Sequence, residues 1–427
     1  MKMINVLINV YGCRPDSGSE TGMGWNWIAH LSVHCRLLVL TEGQWRDEIE
    51  AAVAQLSHRE NLHFYYLPVS DKVREMCWNQ GNWLFYLHYR RWQLQAYRKA
   101  LEIIASQRID LVHQLNFIGY REPGYLWRIK HIPYVWGPVG GMENMPLNYI
   151  SGVGFSQKLF VLVKNILNVL QLKLQWRVRK AMNRADKIIS SGAGVDAIIR
   201  REFGVEPVMI NETGCFPAEA DEQPKQLPSA LDLTGQTDVP ADSNFNLIWV
   251  GKFDYRKQLG LALRTIHEVR HLRGLKFHIL GSGSKADVVS YQRLADELGL
   301  QDICIWHGNQ PIRKVHALMQ ASQVMFFTSI MDATSTVIVE ALSNKLPVIC
   351  FNICGFGPLI DETTGCKVEL TSPKQSVSDF KEKIEYLYYH KNELEIMSEN
   401  CGIKSRGELA WTEKAKKMLQ IYEELLH

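Results

Sequence analysis

Two lysines in the second half of the chain have the type and spacing to bind one anionic group. Lys252 and Lys257 follow an apolar run at 247–250, and Gly251 lies directly between that run and the first lysine. A glycine at the end of a strand lets a ligand approach the backbone, and cations placed there would stabilise charge that develops on a departing diphosphate. The alternative is a basic turn in solvent, the usual setting of a lone pair of lysines.

A second polar group runs from Asp332 to Glu340, between an apolar run that ends near Phe327 and a helical pattern that opens near Thr336. The amides at the start of a helix bind anions, and neighbouring carboxylates can bind the hydroxyls of a sugar or ribose. The pattern therefore predicts a diphosphate site flanked by two acids, with a capped surface helix as the alternative. The amides expected to hold the diphosphate belong to Ser335, Thr336 and Val337.

Small residues follow other apolar runs at the same relative position. Gly281 and Gly283 form a turn after 277–280, but the third glycine of the dinucleotide fingerprint is missing, so a nicotinamide site is not favoured. Paired glycines, Gly140 and Gly141, follow the run that ends at Trp136 and indicate either close backbone approach to a ligand or a tight turn. Near the start of the chain, Gly18, Glu20 and Gly22 precede a helical pattern that Glu20 could simply cap.

The elements that must position these residues alternate between strand-length apolar runs and helical patterns, which indicates parallel sheets with covering helices. At 427 residues the chain predicts two domains. The expected organisation is a first domain at 1–213, a Pro- and Asp-rich linker at 214–243, a second domain at 244–404, and a carboxyl-terminal helix at 405–427 that packs back on the first domain. The predicted strands are 4–10, 35–40, 63–67, 109–113, 134–136, 187–190, 207–210, 247–250, 276–280, 303–306, 324–327, 347–351 and 366–368, and the predicted helices include 22–33, 45–56, 90–106, 122–130, 258–273, 285–298, 312–320, 336–344, 376–390 and 409–426.

Bulk properties narrow the class of protein. A net charge of +3 does not indicate a nucleic-acid partner, and nine scattered cysteines without zinc spacing fit a reducing cytoplasm. The apolar start is short and broken by Asn5 and Asn9, so we expect a first strand rather than a signal peptide. No stretch reaches the roughly 18 apolar residues that a membrane span needs.

Taken together, four motifs resemble the carboxyl-terminal domain of retaining GT-B glycosyltransferases of family 4. They are Gly251-Lys252 with Lys257, Gly281-Ser-Gly283, Trp306-His307-Gly308 and Asp332-x7-Glu340. The resemblance implies an α/β GT-B fold, with two Rossmann-like doubly wound domains facing across a cleft. It also implies a nucleoside diphosphate sugar as donor, no metal and no other cofactor.

The resemblance carries residue roles onto this chain. Lys252 and Lys257 would hold the diphosphate, Glu340 the ribose, and the segment at Trp306 and His307 would pass beside the base. The family usually has Glu where this chain has Asp332, and its Gly-Phe-Gly is replaced here by Ala333-Thr-Ser-Thr336.

On the amino-terminal side, the glycine-rich loop with Glu20 and the glycine pair would bind the acceptor. The family's His-x-His places its second histidine near the reacting sugar, and this chain has Leu115 in that slot. The role would pass to His113 or Asn116, or be absent.

Two basic, aromatic stretches, 72–99 and 155–187, are typical of interfacial membrane contact or of helices packed on the domain with a basic outer face. A lipid-linked acceptor would explain them. The expected function is transfer of a sugar to a hydroxyl with retention, in bacterial surface glycan assembly at the inner face of the cytoplasmic membrane. The alternatives are a nucleotide-sugar epimerase of the same fold and a non-catalytic membrane-associated scaffold.

Overall fold

The computed structural model describes residues 3–78, 83–150, 152–216 and 244–427, so most of the predicted linker lies outside the described residues. The chain forms two compact units. The first unit comprises Met1–Glu143, Ile166–Gly214 and Trp411–His427, and the second comprises Asn144–Asn165 and Cys215–Ala410.

The first unit is built on a seven-stranded parallel sheet with the strand order β3-β2-β1-β4-β5-β6-β7. Apolar runs such as the one in β1 are buried on both faces, as expected for a parallel sheet covered by helices. The strands are β1 (Ile4–Val10), β2 (Cys35–Thr41), β3 (Leu62–Tyr66), β4 (Leu111–Asn116), β5 (Tyr134–Val139), β6 (Lys187–Ser190) and β7 (Val208–Met209). The helices before the second sheet are α1 (Ser19–Leu31), α2 (Arg46–Ala54), α3 (Asp71–Trp78), α4 (Trp83–Ser106), α5 (Phe155–Leu174), α6 (Trp176–Arg184) and α7 (Ala193–Phe203).

The second unit repeats the design with a six-stranded parallel sheet in the order β10-β9-β8-β11-β12-β13. Its strands are β8 (Phe245–Val250), β9 (Leu275–Leu280), β10 (Cys304–Gly308), β11 (Val324–Phe327), β12 (Val348–Phe351) and β13 (Gly365–Val368). Its helices are α8 (Leu259–Glu268), α9 (Lys285–Glu297), α10 (Ile312–Ala321), α11 (Thr336–Ser343), α12 (Pro373–Tyr389) and α13 (Lys391–Lys404), and the chain ends in α14 (Trp411–Leu426).

The fold-class prediction of two doubly wound Rossmann-like units is confirmed. In each sheet the strand order reverses beside the first strand, between β1 and β4 and between β8 and β11. Ligands of open α/β sheets bind beyond the carboxyl ends of the strands at such a reversal point. The residues that follow β8 and β11 therefore lie at the position where this fold binds ligands.

The last helix, α14, belongs with the first unit, and its aromatic and cationic side chains explain why. Trp411 packs edge-on against Trp27 of α1 with ring centroids 5.7 Å apart. The Lys414 ammonium, which is buried, donates to the Asn211 carbonyl oxygen at 2.8 Å. The helix that joins this unit begins at Trp411, after a π-helical turn at Ser405–Leu409.

Two local predictions need correction. The predicted helix at 122–130 is only a short 3-10 turn at Leu126–Arg128, because Pro123 and the positive φ of Gly124 (62°) interrupt helical geometry. The predicted basic helix at 155–187 is two helices, α5 and α6, which part at the extended Gln175.

The aromatic residues of the first basic stretch lie mostly inside the first unit. Phe85, Tyr89 and Trp92 of α4 are at most 5% exposed and pack with Tyr11 and Phe117. They form core rather than a membrane-facing surface, so the prediction of membrane contact does not apply to these three rings. None of the helices in the described ranges is long and apolar enough to cross a bilayer.

Candidate functional site

The loops that follow β8 and β11 are bonded to each other through one threonine. Thr328, the first residue after β11, accepts a hydrogen bond from the Trp249 indole at 3.1 Å. Its own hydroxyl donates to the Lys257 carbonyl at 2.8 Å. A backbone bond from the Ile330 amide to the Arg256 carbonyl, at 2.8 Å, adds a second connection. The segment 251–258, which carries Lys252 and Lys257 and is called the lysine loop below, is therefore fixed to the loop that carries Asp332.

This arrangement brings Lys257 and Asp332 together as an ion pair. The side chains are 16% and 29% exposed, so solvent screens their attraction only partly. The Lys257 ammonium also lies 5.2 Å from the centroid of the Phe327 ring. The sequence predicted that these two residues belong to one site, and the structure places them in direct contact.

The same loop also contains Lys252 and the ion pair between Arg256 and Asp254. Lys252 is exposed and forms no ion pair with any residue in the described ranges. Asp254 accepts from the Arg256 guanidinium at 2.7 Å. Burial alone would raise the pKa of Asp254, but the bonds from Arg256 bring it below the ordinary value. The loop thus carries three cations and one carboxylate, and Arg256 was not singled out from the sequence although it lies between the lysines.

Glu340 and the start of α11 lie on the other side of the β11 loop. Ser335 is the N-cap of α11 and Thr336 and Val337 open its first turn, so their amides have no partner within the helix. The Glu340 carboxylate makes no hydrogen bond or ion pair with the part of the chain that the structure describes, and burial raises its pKa. A half-buried acid without a partner could accept hydrogen bonds from hydroxyl groups.

Gly281 and Gly283 have a packing role that the sequence did not specify. Gly281 has a φ of 121°, and a Cβ there would lie 1.9 Å from the Gly251 carbonyl oxygen. A Cβ on Gly283 would lie 2.8 Å from the Cβ of Phe253. The turn therefore fits directly against the lysine loop, and the Phe253 amide donates to the Ser282 carbonyl at 2.9 Å.

Trp306 and His307 are placed by β10. The Trp306 ring packs edge-on against Phe253, with centroids 6.0 Å apart, so it contacts the same loop. The imidazole of His307 lies 2.9 Å from that of His278 on β9. Burial and the neighbouring imidazole lower the pKa of His278 to about 4.

In the first unit, His113 is fully buried and both ring nitrogens have partners. Nδ1 lies 2.6 Å from the Tyr422 hydroxyl of α14, and Nε2 lies 2.7 Å from the Gly137 carbonyl oxygen. Burial lowers its pKa to about 4. This placement favours a structural role over contact with a reacting sugar.

The amino-terminal glycine loop is attached to the end of β4 by Asn116 and Glu20. The side-chain amide of Asn116 donates to the Gly12 carbonyl at 2.8 Å. The backbone amide of Ile118 donates to the Glu20 carboxylate at 2.9 Å. The N-cap of α1 is Gly18, and Glu20 lies in the first turn of the helix rather than at the cap position. A Cβ on Gly22 would lie 1.6 Å from the Ser17 carbonyl oxygen, whereas nothing lies within 4 Å of one on Gly18.

Gly140 and Gly141 lie close to the end of β4 through backbone bonds. The Gly140 amide donates to the Ile118 carbonyl at 2.8 Å. A Cβ on Gly140 would lie 2.7 Å from the Ser191 hydroxyl, so a larger residue here would require that side chain to move. Gly141 is exposed with a φ of 74°. The structure thus brings the predicted acceptor residues of the first unit to one edge of its sheet.

Metal chemistry was not expected from the sequence. In the described ranges, no group of three or more His, Cys, Asp and Glu side chains is arranged to hold a metal ion.

Comparison with known proteins adds a sequence match and a fold match. A family model described as "Glycosyl transferases group 1" matches residues 237–402, and no curated protein matches the chain. A glycosyltransferase from Rickettsia africae superposes with a TM-score of 0.64 at 15% identity, covering 100% of this chain and 99% of that one.

Two further structures resemble the chain over nearly its whole length. HepE from Anabaena, in complex with UDP, gives a TM-score of 0.61 at 14% identity, over 99% of this chain and 100% of that one. WaaG, a glycosyltransferase involved in lipopolysaccharide biosynthesis, gives 0.57 at 16%, over 96% and 98%. The chain therefore has the GT-B fold of these glycosyltransferases, and its second unit is similar in sequence to glycosyl transferases group 1.

Proposed function

We propose that the protein transfers a sugar from a nucleoside diphosphate sugar to a hydroxyl acceptor with retention at the anomeric carbon. The observation that carries the proposal is the Lys257–Asp332 ion pair at the strand reversal between β8 and β11, with exposed Lys252 in the same loop. The family match over 237–402 covers these residues. A fold relative that holds UDP supports a uridine nucleotide as the first donor to test.

The chemistry assigned to this site needs cations but no enzyme nucleophile. The bond between the anomeric carbon and the departing diphosphate breaks through an oxocarbenium-like transition state. The acceptor oxygen forms the new bond on the same face, and its proton passes to the departing phosphate. Lys252, Lys257 and the first amides of α11 stabilise the negative charge on that phosphate. Asp332 and Glu340 bind sugar and ribose hydroxyls, and no metal is required.

We further propose that the acceptor is a lipid-linked glycan and that the protein docks on the cytoplasmic face of a membrane through α5. Apolar side chains cover the outer face of this helix and the first position of α6, each at least 39% exposed. Helices that lie in a membrane interface present such a face of aliphatic and aromatic side chains. The exposed set is Phe155, Leu159, Phe160, Leu162, Val163, Ile166, Leu167, Val169, Leu170, Leu174 and Trp176.

The charge of the same segment favours an anionic surface. Residues 144–185 contain seven Lys or Arg and no Asp or Glu, although the net charge of the whole chain is only +3. Arg177 is buried against Glu122, whereas Lys164, Lys173 and Lys180 are exposed. Basic residues beside a membrane-facing helix add about 1 kcal/mol each near an anionic leaflet. The involvement of WaaG in lipopolysaccharide biosynthesis is consistent with a role in surface glycan assembly.

Turnover of donors tests the activity and separates it from its alternatives. The purified protein would be given UDP-, GDP- and dTDP-sugars with and without a membrane lipid extract, and nucleotide release would be measured. A transferase releases nucleotide faster with the acceptor, an epimerase converts the sugar without one, and a scaffold does neither. Absence of both turnover and donor binding would contradict the proposal.

Lys257→Ala tests the role of the ion-paired lysine. Loss of a cation that contacts the departing diphosphate should lower kcat by about a hundredfold. It should also weaken binding of UDP measured by calorimetry, because the product carries the same diphosphate.

Two controls accompany this variant. Lys391→Ala removes an exposed lysine of α13 in the same unit and should leave kcat and UDP binding unchanged. Since Lys257→Ala leaves Asp332 without its partner, the thermal unfolding midpoint is measured for each variant. Unchanged turnover in a folded Lys257→Ala protein would remove that lysine from the mechanism.

A further inference from the structure

Arg121 in the first unit has a position and a set of partners that the proposed reaction does not yet use. It lies in the segment after β4, beside the glycine pair that follows β5. Its Nε donates to the Gln171 side-chain oxygen of α5 at 2.7 Å, and one terminal nitrogen donates to the Gly141 carbonyl at 3.3 Å. The other terminal nitrogen bonds the Asn168 side-chain oxygen.

All three of these acceptors are neutral. Arg121 forms no ion pair with a carboxylate anywhere in the described ranges, whereas most other arginines that bond a side chain here bond an acid. An always-ionised guanidinium that is half-buried and lacks a counter-ion attracts an anion. The three bonds use three of its five N–H groups, so two remain to donate to a phosphate or diphosphate oxygen.

The charged residues next to Arg121 also have a net positive charge, which strengthens the attraction for an anion. Glu122, the adjacent acid, is shared by two arginines, since Arg177 binds both of its oxygens at 2.6 and 2.8 Å and Arg90 binds one at 2.9 Å. The single negative charge of Glu122 is therefore already exceeded by the two positive charges of Arg90 and Arg177, and Arg121 adds a third. The cluster of Arg90, Arg121, Glu122 and Arg177 carries a formal charge of +2.

The backbone beside Arg121 leaves room for a ligand. Gly119 and Gly141 are exposed. Nothing lies within 4 Å of a Cβ built on Gly119, and only an Arg121 nitrogen, at 3.9 Å, approaches one built on Gly141. A bulky anion could approach this surface without a steric conflict.

The location relative to α5 indicates which anion this would be. Asn168 is 2% exposed, and it bonds Arg121 on the inner side of α5. The outer side of the same turn carries the exposed Leu167 and Leu170. The guanidinium thus lies just inside a helix whose outer face we assign to the membrane, and next to glycines assigned to the acceptor.

The geometry points to Arg121 as the residue that binds the phosphate or diphosphate joining a glycan acceptor to its lipid. This inference rests on the lipid-linked acceptor proposed above. It makes Arg121 a specificity residue for acceptors that carry a lipid phosphate, and it assigns no role to Arg121 in donor binding.

Vesicle binding provides the test, with the full-length protein and without any donor. Phosphatidylcholine vesicles would contain either polyprenyl diphosphate or phosphatidylglycerol at equal charge, and binding would be measured by flotation. The wild-type protein should bind polyprenyl diphosphate more tightly than phosphatidylglycerol. Arg121→Gln should lower the affinity for polyprenyl diphosphate by about tenfold or more and leave the phosphatidylglycerol affinity unchanged. Inorganic pyrophosphate should compete with polyprenyl diphosphate on the wild-type protein only.

Two variants keep the result interpretable. Arg121→Lys retains the charge but not the fork, so its affinity should be intermediate, and it serves as the readout if Arg121→Gln fails to fold. Arg128→Gln removes an exposed arginine from the same segment and should match the wild-type protein.

Three results would overturn the inference. They are equal binding of polyprenyl diphosphate by Arg121→Gln and wild type, an equal loss on both kinds of vesicle, and a wild-type protein without preference for the diphosphate. Failure of donor turnover would contradict the proposed activity but would not alter these binding measurements.

Discussion

His113 illustrates at the residue scale how burial separates a structural residue from a reactive one. A carbonyl oxygen can only accept, so Nε2 must carry the proton that bonds the Gly137 oxygen. Nδ1 is then the unprotonated nitrogen and accepts from the Tyr422 hydroxyl. Protonation of Nδ1 would reverse that bond and place a positive charge in a fully buried environment, which is why burial lowers the pKa. The neutral imidazole therefore connects β4 to α14.

The pKa of His113 predicts a dependence of stability on pH. Its folded value of about 4 lies below the ordinary value of 6.5, so the unfolded chain binds a proton more readily between these values. The contribution to stability is fully present above pH 6.5 and is lost as the pH falls to about 4. The loss amounts to about 3 kcal/mol. Urea unfolding at several pH values measures this dependence. His113→Gln should make it shallower, although His278 would still contribute.

His427→Gln is the matched control, since this terminal residue is exposed. Its unfolding free energy should follow the wild-type pH dependence. His113→Gln should also keep kcat within severalfold of wild type once folded. A loss of kcat as large as that expected for Lys257→Ala would show that His113 acts in the reaction.

The sequence was informative about the residues of the second unit's site but not about their contacts. Lys257 and Asp332 were predicted to share a site because carboxyl ends of neighbouring parallel strands meet at one edge of a sheet. Their ion pair depends on Thr328, which bonds the Lys257 carbonyl from 71 positions away. Nothing in a local pattern identifies such a bond, although a polar residue directly after an apolar strand was a visible signal.

At the scale of elements, the strands were more predictable than the helices. Buried parallel strands appear as apolar runs, and the predicted limits of 4–10, 187–190 and 324–327 match β1, β6 and β11. The helices α3, α7 and α13 were not among the predicted helices. The membership of 144–165 in the second unit was also not predicted. It depends on long-range bonds such as that between the Tyr149 and Ser376 hydroxyls, 2.6 Å apart.

The turn between β9 and α9 supplies a prediction at this scale. Gly281→Ala adds a Cβ at 1.9 Å from the Gly251 carbonyl oxygen and strains a φ of 121°. The lysine loop must shift, so both the unfolding midpoint and donor turnover should fall. We expect a destabilisation of about 2 kcal/mol or more, the range of overpacked sites.

Gly299→Ala separates steric conflict from backbone strain. Gly299 also has a positive φ, 66°, but nothing lies within 4 Å of an added Cβ. Its destabilisation should stay near the cost of the strained backbone, about 1 kcal/mol. Equal thermal shifts for the two variants, with unchanged turnover in both, would mean that the turn does not position the lysine loop.

At the scale of the whole molecule, the distribution of charge matters more than its sum. The nearly balanced chain has seven cations and no acids in 144–185, and three of these cations, Lys164, Lys173 and Lys180, are exposed near the apolar face of α5. Apolar insertion resists salt, whereas attraction to anionic lipids is screened over about 10 Å at 0.1 M salt. A protein docked through α5 should therefore float with anionic vesicles, and added salt should weaken its binding without abolishing it.

Flotation of a paired variant decides whether α5 is the docking element. Phe155→Gln/Phe160→Gln changes side chains that are 82% and 58% exposed, so the fold should tolerate it while vesicle binding is lost. Tyr389→Gln/Ile396→Gln, at positions 68% and 63% exposed on α12 and α13, removes comparable apolar surface elsewhere and should bind as the wild type does. Equal flotation of the two variants would exclude α5 as the contact. A wild-type protein that stays at the bottom but forms a dimer abolished by the α5 variant would assign the same face to a second copy of the chain.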